Sequence, residues 1–438
     1  MDQESLITLC KKLFSRKKPV ILALLSVLLL AVMDDAAGQS GGTESFRVDS
    51  IRIRKNWRTR ELIVLRELKI EPGQMVTHKD IEKAVTRIWN IGNFARVNYR
   101  IDTLPDQRLL LNITALDAFT IVPNISFNGN RKEYLLTAGI IDNNLFGRNI
   151  SLDAGFSTGT TTRRMNFNLG IPRQLLYRNM ILRGGFQYGN ILRYRYDNGD
   201  CIAGTGYLQK NAYLSVGNPW HTDDHYTFSP DLGISVFSQR ADSSLVPDGI
   251  PVLGNPMVSF LAVNISESAG IVNRIRHQQE GSILSVGLGY GFGLNHRSPG
   301  YAGVGISGFI AKLLNRIIQL SAGFNTGYTS ARSEGLLFYL GPDQVKGILS
   351  GERWGRAYYS LATSLHLTYL NRDWLAMEQS FFWNAGQADN HYLELFERKP
   401  LYSVGSKLRL MVPMVPWLGI NFYYAWRGSD KHWYSMEF

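Results

Sequence analysis

The sequence predicts a mainly β protein, in which a small N-terminal α+β domain arranged βααββ precedes a 16-stranded antiparallel transmembrane β-barrel. Composition is the first reason. The 438 residues include 42 Gly, 21 Tyr and 21 Phe, and only 19% are charged, below the roughly 25% of an average soluble domain. Periodicity is the second reason: helical spacing of apolar residues is confined to the N-terminal part, and strict alternation prevails after residue 118.

Residues 1–38 are predicted to be a secretory signal peptide, and residues 39–45 a short leader. Basic residues at positions 11–18 precede an apolar run of 15 residues, 19–33, and small residues up to Gly38 form a cleavage site. A membrane-spanning helix needs about 20 apolar residues, so the alternative of a retained signal anchor is disfavoured. The chain is therefore expected to be exported.

Residues 46–117 are predicted to form the small domain. Ile51 and Ile53 indicate a first strand, and Thr59 is a candidate N-cap for a helix carrying Leu62, Leu65 and Leu68. The pattern of the second helix is stronger, because Thr77 and Asp80 form a capping signature ahead of one apolar stripe. That stripe consists of Ile81, Ala84, Val85, Ile88 and Trp89. Two alternating strands follow, joined by a turn at Pro105-Asp106.

Two motifs in this domain resemble those of POTRA domains. Gly73 lies in the turn before the second helix, and the stretch 89–97 (Trp-Asn-Ile-Gly-Asn-Phe-Ala-Arg-Val) contains the G-x-F-x-x-V part of the family's "L-x-x-x-G-x-F-x-x-V" pattern. An open three-stranded sheet has edges whose backbone groups can bind an extended peptide by β-augmentation. A generic α+β spacer is the alternative interpretation of the same residues.

Residues 118–438 are predicted to form the barrel. Leu284, Val286, Leu288, Tyr290 and Phe292 alternate with serine and glycine, which gives one apolar face and one face almost without side chains. The region has 321 residues, and at about 20 residues for each strand and connection it allows roughly 16 strands. Short links such as 146–149, 176–179 and 413–416 alternate with long ones near 239–256 and 328–358, which is the asymmetry of outer-membrane barrels.

The chain ends in alternating aromatic and apolar residues. Tyr434, Met436 and Phe438 share one face of a last strand. An aromatic carboxy terminus of this kind resembles the signal by which bacterial barrels are recognised for assembly.

A POTRA domain ahead of such a barrel resembles the BamA/TamA superfamily of outer-membrane assembly proteins and two-partner secretion transporters. Residues 142–147 (Asp-Asn-Asn-Leu-Phe-Gly) match its "D-x-N-L-F-G" turn, and residues 404–416 match its "G-x-x-L-R-x-x-x-P-x-x-P" hairpin. The resemblance implies an outer-membrane location with the POTRA domain in the periplasm. It also implies capture of unfolded outer-membrane or secreted clients and their insertion or translocation without ATP. The partners it implies are those clients, the lipid bilayer and possible subunits of an assembly machinery.

The superfamily's sixth loop usually folds into the lumen through an Arg-Gly pair that meets an acidic residue on a later strand. Here Lys346, Gly347 and Ile348 occupy the loop motif, and Asn384 stands in place of the acid. Lysine lacks the bidentate fork of arginine and asparagine lacks the charge, so the contact is expected to be weaker or rebuilt. Glu378 lies on the same strand face as Asn384 and is a substitute partner. Lys346 is accordingly hypothesised to anchor the loop.

Other function classes are weaker. The net charge of +11 would suggest nucleic acid for a soluble protein, but an exported barrel does not meet the genome. No convergent Ser/His/Asp or Asp/His set is found, so neither an enzyme nor a metal or other cofactor is predicted. A passive outer-membrane pore, or a small accessory barrel with a POTRA spacer, remains the alternative.

Overall fold

The computed structural model describes most of the chain after residue 44. The described residues are 45–129, 133–173, 175–176, 180–197, 200–221, 227–253, 257–275, 278–372, 374–412, 419–427 and 432–437. The predicted signal peptide and nearly all of the predicted leader therefore lie outside them. None of the helices among the described residues is long and apolar enough to cross a membrane.

The small domain contains two helices and two sheets. Its elements are β1 (Ser45–Arg47), β2 (Ser50–Arg54), α1 (Glu61–Leu68), β3 (Met75–Thr77), α2 (His78–Asn90), β4 (Phe94–Thr103) and β5 (Leu109–Asp117). The main sheet has the order β2-β5-β4, with β2 parallel and β4 antiparallel to β5. The predicted βααββ arrangement is confirmed, and a two-stranded sheet of β1 and β3 is added to it.

Helix α2 forms as its sequence predicts. The Thr77 hydroxyl accepts a hydrogen bond from the Asp80 backbone N–H at 3.2 Å, and the Asp80 carboxylate accepts one from the Thr77 N–H at 2.9 Å. This capping box satisfies N–H groups that the first helical turn leaves unpaired. Ile81, Ala84 and Ile88 are fully buried against the main sheet.

Helix α1 differs from its prediction at both its start and its buried face. Its N-cap is Arg60 rather than Thr59, because the buried Thr59 hydroxyl donates to the Asp117 carboxylate instead. Leu62 and Leu65 are exposed, and Ile63, Val64 and Leu68 are the buried apolar residues. In a helix of only two turns the tertiary contacts, not the leucine spacing, decide which face is buried.

The rest of the chain consists mainly of strands, most of them longer than the usual strand of a soluble protein. They are β6 (Ile121–Gly129), β7 (Tyr134–Leu145), β8 (Ile150–Gly159), β9 (Thr162–Ile171), β10 (Ile181–Asp197), β11 (Asp200–Gly217), β12 (Trp220–His221), β13 (Thr227–Ala241), β14 (Val258–Ile275), β15 (Gln278–Gly293), β16 (Tyr301–Leu313), β17 (Ile318–Thr329), β18 (Phe338–Leu340), β19 (Arg353–Gly355), β20 (Ala357–Asn371), β21 (Ala376–Asp389), β22 (Leu401–Met411), β23 (Gly419–Trp426) and β24 (His432–Glu437).

These strands close into an antiparallel barrel, in which β24 pairs with β6. The two-residue strand β12 lies beside β13, but β11 and β13 pair directly with each other. Strands β18 and β19 form a separate hairpin. The ring among the described residues therefore has sixteen strands, as the length of the region predicts.

Each barrel strand presents one face outward. On β15 the predicted apolar set is exposed on the outer face, from Leu284 to Phe292, and the intervening glycines face the inner wall. An outer face of large apolar residues matches a surface in contact with lipid.

The two ends of the barrel differ. The end joined to the small domain, here the domain end, carries short turns such as 146–149 and 314–317, whereas the opposite, loop end carries long loops at 242–257 and 330–356. The predicted short link 146–149 and the two predicted long links are confirmed, but the loop end also carries short turns, such as residues 160–161 between β8 and β9. The predicted short link 413–416 lies outside the described residues, as do residues 177–179 of the link 176–179.

Candidate functional site

The small domain is joined to the barrel by a buried polar network, here the domain junction, formed by Arg58, Thr59, Asp117, Asp142 and Asn144. The Asp117 carboxylate accepts from the backbone N–H groups of Arg58 (2.6 Å) and Thr59 (3.0 Å) and from the Thr59 hydroxyl. The Asn144 amide donates to that hydroxyl at 2.8 Å, and Arg58 bridges to Asp142 at 2.8 Å. Buried polar groups matched in this way hold two surfaces in a single geometry.

The junction explains the predicted 142–147 turn. Asp142 and Asn144 are its first and third residues, and the Gly147 carbonyl accepts from the Arg60 N–H at 2.9 Å. Gly147 has φ of +68°, and a Cβ there would lie 2.0 Å from the Arg58 carbonyl oxygen. Only glycine combines that backbone conformation with so close an approach.

The small domain also contacts turns farther around the ring. Arg173, in the turn between β9 and β10, forms a two-pronged ion pair with the buried Glu67 of α1, at 2.8 and 3.1 Å. The Asn90 amide at the end of α2 donates to Asn273 of β14 at 2.9 Å. Since β14 is the eighth of sixteen strands counted from β6, the domain extends across the domain end of the barrel.

At the loop end, residues 330–356 fold inward as a single loop, here loop six. Its hairpin of β18 and β19 carries a buried apolar cluster with residues of the barrel wall. The cluster comprises Leu340, Val345, Ile348, Ala388 and Leu401. Gly347 is buried with φ of +87°, a conformation that favours glycine.

Two arginines of β10 hold loop six on one side of the lumen. Arg195 forms an ion pair with Glu334, and its guanidinium lies 3.5 Å from the centroid of the Trp354 ring. Arg193 donates to the Leu337 carbonyl at 3.2 Å. Both arginine contacts are largely shielded from solvent, where planar guanidinium groups bind most strongly.

The same arginines are linked through a loop tyrosine. The Arg193 guanidinium lies 4.5 Å from the Tyr339 ring centroid, and the Tyr339 hydroxyl donates to Glu334 at 2.7 Å. Elsewhere, Arg427 beyond β23 pairs with Glu352 of the loop. Loop six is therefore attached at points spread around the inner wall.

Glu133, in the turn between β6 and β7, provides another attachment. Its carboxylate accepts from the Ser350 N–H at 2.9 Å. Burial raises the pKa of Glu133, and the charges of Asp343 and Glu352 act in the same direction, although the hydrogen bonds from Ser350 and Thr161 partly offset them.

We expect this attachment to be firmer at acidic pH. A carboxyl group whose pKa is raised in the folded protein contributes its full stability below its unfolded pKa and loses it as the pH rises through the folded value. Glu133→Gln should therefore match the wild type in melting temperature at pH 4 and exceed it increasingly toward pH 7. Melting curves of both proteins over that range test this, and a difference independent of pH would contradict it.

The predicted lumen residues occupy the opposite side from the arginines. The Lys346 Nζ lies 4.9 Å from the centroid of the Tyr423 ring on β23, and the Lys407 Nζ lies 5.6 Å from the same centroid. Ile348 is fully buried in the cluster described above. The role of Lys346 as an anchor remains a proposal, which this position beside the wall supports.

The proposed partners Glu378 and Asn384 are both buried on β21. Glu378 lies 3.2 Å from His366 Nδ1 and accepts from the Ser380 hydroxyl at 3.2 Å. Asn384 is opposite Ala362 and Ser403 in the register. The part of Glu378 and Asn384 in holding loop six therefore stays a prediction.

The barrel closes at a short seam between β24 and β6. Their register joins four residue pairs among the described residues, from Tyr434 with Gly129 to Glu437 with Ser126. The neighbouring pair β6 and β7 joins nine. Of the predicted assembly signal, Met436 is exposed on the outer face, the Tyr434 backbone pairs within the seam, and Phe438 lies outside the described residues.

Arg193, Arg195 and Glu133 were not predicted from the sequence. A usable signal existed for the arginines, because two charges spaced by two residues in a membrane strand share one face and must point to the lumen. Glu133 had none, since its burial depends on loop six. Among the described residues, no group of three or more His, Cys, Asp or Glu side chains is placed to hold a metal ion.

Comparisons with known proteins find similarity for both parts of the chain. Residues 46–115 match the POTRA family, described as "Surface antigen variable number repeat". BamA from Haemophilus ducreyi lacking POTRA domains 1–3 is similar in structure, with TM-score 0.53, 15% identity and coverage of 90% of this chain and 85% of that one. No curated protein matches the chain in sequence.

Two further solved structures are similar over nearly the same length. CdiB from Escherichia coli has TM-score 0.63 and 11% identity, covering 90% of this chain and 76% of that one. CdiB from Acinetobacter baumannii has TM-score 0.56 and 14% identity, covering 89% and 73%. At these identities the similarity establishes a shared fold.

Proposed function

We propose that this chain, which joins a POTRA domain to a barrel of the fold seen in BamA and CdiB, inserts unfolded client proteins into the outer membrane. The POTRA domain faces the periplasm and binds an extended client segment, and the barrel admits that segment at the seam between β24 and β6. The process needs no ATP, because the folded client is more stable in the membrane than unfolded outside it. The short seam is the observation that carries the proposal.

The seam is the place where the barrel opens at least cost. Each paired residue of a ladder contributes backbone hydrogen bonds, and within the bilayer core no water is present to replace them. The four residue pairs that the described part of this ladder contains lose fewer of these bonds on opening than the longer ladders elsewhere, such as the nine pairs of β6 and β7. Strands exposed at the opening would then present unpaired edges, which bind an incoming strand by β-augmentation.

The POTRA sheet supplies a surface for capture. Strands β2 and β4 are its outer members, and the side chains they direct away from the helices include exposed arginines. These are Arg52, Arg54, Arg96 and Arg100. A basic sheet face favours clients with acidic segments and anionic membrane surfaces.

The passive-pore alternative is disfavoured by the ends of the lumen. The small domain extends across the domain end, and loop six fills the loop end. A passive pore needs a continuous water path. An accessory barrel with a POTRA spacer would not need a weak seam.

A disulfide across the seam tests the proposal. Phe127 and Met436 face each other in the register on the outer face, and facing residues of antiparallel strands lie within disulfide reach. In a Cys201→Ser background, oxidised Phe127→Cys/Met436→Cys protein in liposomes should insert a urea-unfolded eight-stranded barrel at least tenfold more slowly. Folded client is measured by its heat-modifiable gel mobility, and reduction should restore the rate.

A matched control locks a different ladder. Val286 and Ile306 also face each other on the outer face, between β15 and β16. Oxidising Val286→Cys/Ile306→Cys should leave insertion unchanged. Insertion at the wild-type rate through an oxidised seam would refute the proposed route.

Secretion through the lumen is the second candidate function. A polar cavity of about 350 Å³ lies along the wall from β6 to β11, and such a lining suits passage of a polar chain. Its residues include Arg164, Asn166, Asn168, Gln187 and Asn211. Under this alternative, the oxidised seam would leave translocation of a secreted client intact.

A further inference from the structure

A long groove crosses the outer face of the barrel from β16 to β23. Its volume is about 940 Å³, in the range of roughly 300–1,000 Å³ typical of ligand sites. The register places the outward-facing part of its lining in two rows. One row is Lys312, Leu320, Leu365, Phe381, Ser406 and Tyr424, and the other is Ile310, Ala322, Thr363, Trp383, Val404 and Trp426.

The groove exists because small residues interrupt a surface of large ones. Ala322, Thr363 and Ser406 stand where neighbouring outward positions carry residues such as Phe381 and Trp426, which are about half exposed. In a bilayer such a depression is in contact with hydrocarbon. An acyl chain is expected to fill it, because an empty space would deprive both the groove and the surrounding lipid of dispersion contacts.

The groove has one charged end. Lys312 lies next to the last residue of β16, at the domain end, on the same outer row as Leu320. A lysine on the lipid face is tolerated near an interface and costly at the midplane. At the other end the lining residues Tyr424 and Trp426 are aromatic, and the nearby Arg427 is engaged by Glu352 of loop six.

We propose that this groove binds one anionic phospholipid from the periplasmic leaflet. Its acyl chain lies along Ala322, Thr363 and Ser406, and its phosphate meets the Lys312 ammonium. The single cation at the periplasmic rim of the described lining favours this leaflet over the outer one, whose headgroups would lie at the aromatic end.

The groove continues to the seam. A second cavity of about 390 Å³ shares Ser406 and Tyr424 with it and extends to Phe127 and Met436, which face each other across the seam. The bound lipid therefore lies beside the place where the barrel is proposed to open. Its binding requires only that the barrel is in a membrane, so a lipid measurement is independent of client insertion.

Native mass spectrometry of the purified full-length protein with added phosphatidylglycerol or phosphatidylcholine tests the proposal. The wild type should retain one phosphatidylglycerol more tightly than phosphatidylcholine. Lys312→Gln should weaken phosphatidylglycerol retention about fivefold, since one basic residue at a membrane surface contributes about that factor. Ala322→Phe and Ser406→Leu fill the groove and should reduce retention of both lipids.

Two control variants change comparable outer residues outside the groove. Lys210 on β11 is exposed beside the Tyr188 ring, and Ala138 on β7 is an exposed small residue. Lys210→Gln and Ala138→Phe should retain lipid as the wild type does, and heat-modifiable mobility checks that every variant is folded.

Three outcomes would overturn the proposal. Equal phosphatidylglycerol retention by Lys312→Gln and the wild type would show that Lys312 does not bind the headgroup. Full lipid retention by both folded groove-filling variants would show that the acyl chain does not lie in the groove. Displacement of the retained phosphatidylglycerol by lipopolysaccharide, unaffected by Lys312→Gln, would assign the groove to the outer leaflet instead.

Discussion

Replacing Arg195 by alanine is expected to release loop six from the inner wall of the barrel. The substitution leaves the carboxylate of Glu334 without its ion pair and removes the guanidinium from the Trp354 ring. Removing one partner of a shielded ion pair costs about 3–5 kcal/mol, so the released population should rise about hundredfold or more. The readout is the labelling rate of a Leu349→Cys probe by a membrane-impermeant maleimide, in a Cys201→Ser background.

Two further variants make this result specific. Arg183 lies on the same strand but pairs with Asp231, so Arg183→Ala should not change the labelling rate. Lys346→Ala removes the cation–π contact with Tyr423, worth about 0.5–1 kcal/mol, and should raise labelling a few-fold. Labelling of Arg195→Ala at the wild-type rate would show that other contacts hold the loop.

Replacing Asp117 by alanine is expected to loosen the POTRA domain from the barrel. The substitution leaves the N–H groups of Arg58 and Thr59 and the Thr59 hydroxyl without their acceptor. Each buried unpaired group costs about 1–3 kcal/mol, so we expect a total loss of at least about 3 kcal/mol. The loss falls on Arg58 and Thr59, the two residues whose side chains bond to Asp142 and Asn144 of the barrel. Pulsed electron spin resonance between labels at Glu82 and Arg316 measures the result, because the distance distribution should broaden markedly.

Asp106 provides the control for this experiment. It is an exposed acid in the turn between β4 and β5, where it bonds to Arg108. Asp106→Ala should preserve the narrow distribution of the parent protein. An equally narrow distribution for Asp117→Ala would mean that the Arg173–Glu67 ion pair and its neighbours suffice to fix the domain.

The fold could be predicted where local chemistry and tertiary structure agree. Helix α2 forms from its own capping box and apolar stripe, and strand β15 shows its two faces in its alternation. Helix α1 is the counterexample. Its leucine spacing predicts that Leu62 and Leu65 are buried, but tertiary contacts bury a different face. Thr59 does not cap the helix, because its hydroxyl donates to Asp117, 58 residues away.

The candidate site could be predicted only in outline. The resemblance located loop six and the 142–147 turn, because these are continuous in sequence. The contacts that hold them join distant residues: Arg195 meets Glu334 and Glu133 meets Ser350. No spacing rule connects such positions, since their proximity follows from closure of the whole ring.

The placement of loop six and the POTRA domain at opposite ends has a consequence for permeability. If each of them closes its end of the lumen, a small solute crosses only while both are displaced, and the leak follows the product of two probabilities. If the two move independently, and each is displaced about one hundredth of the time at a cost near 2.7 kcal/mol, the path is open about one ten-thousandth of the time. A cell could therefore keep a wide barrel in its envelope without admitting toxic solutes, and a weakness at either end alone would leave that protection largely in place.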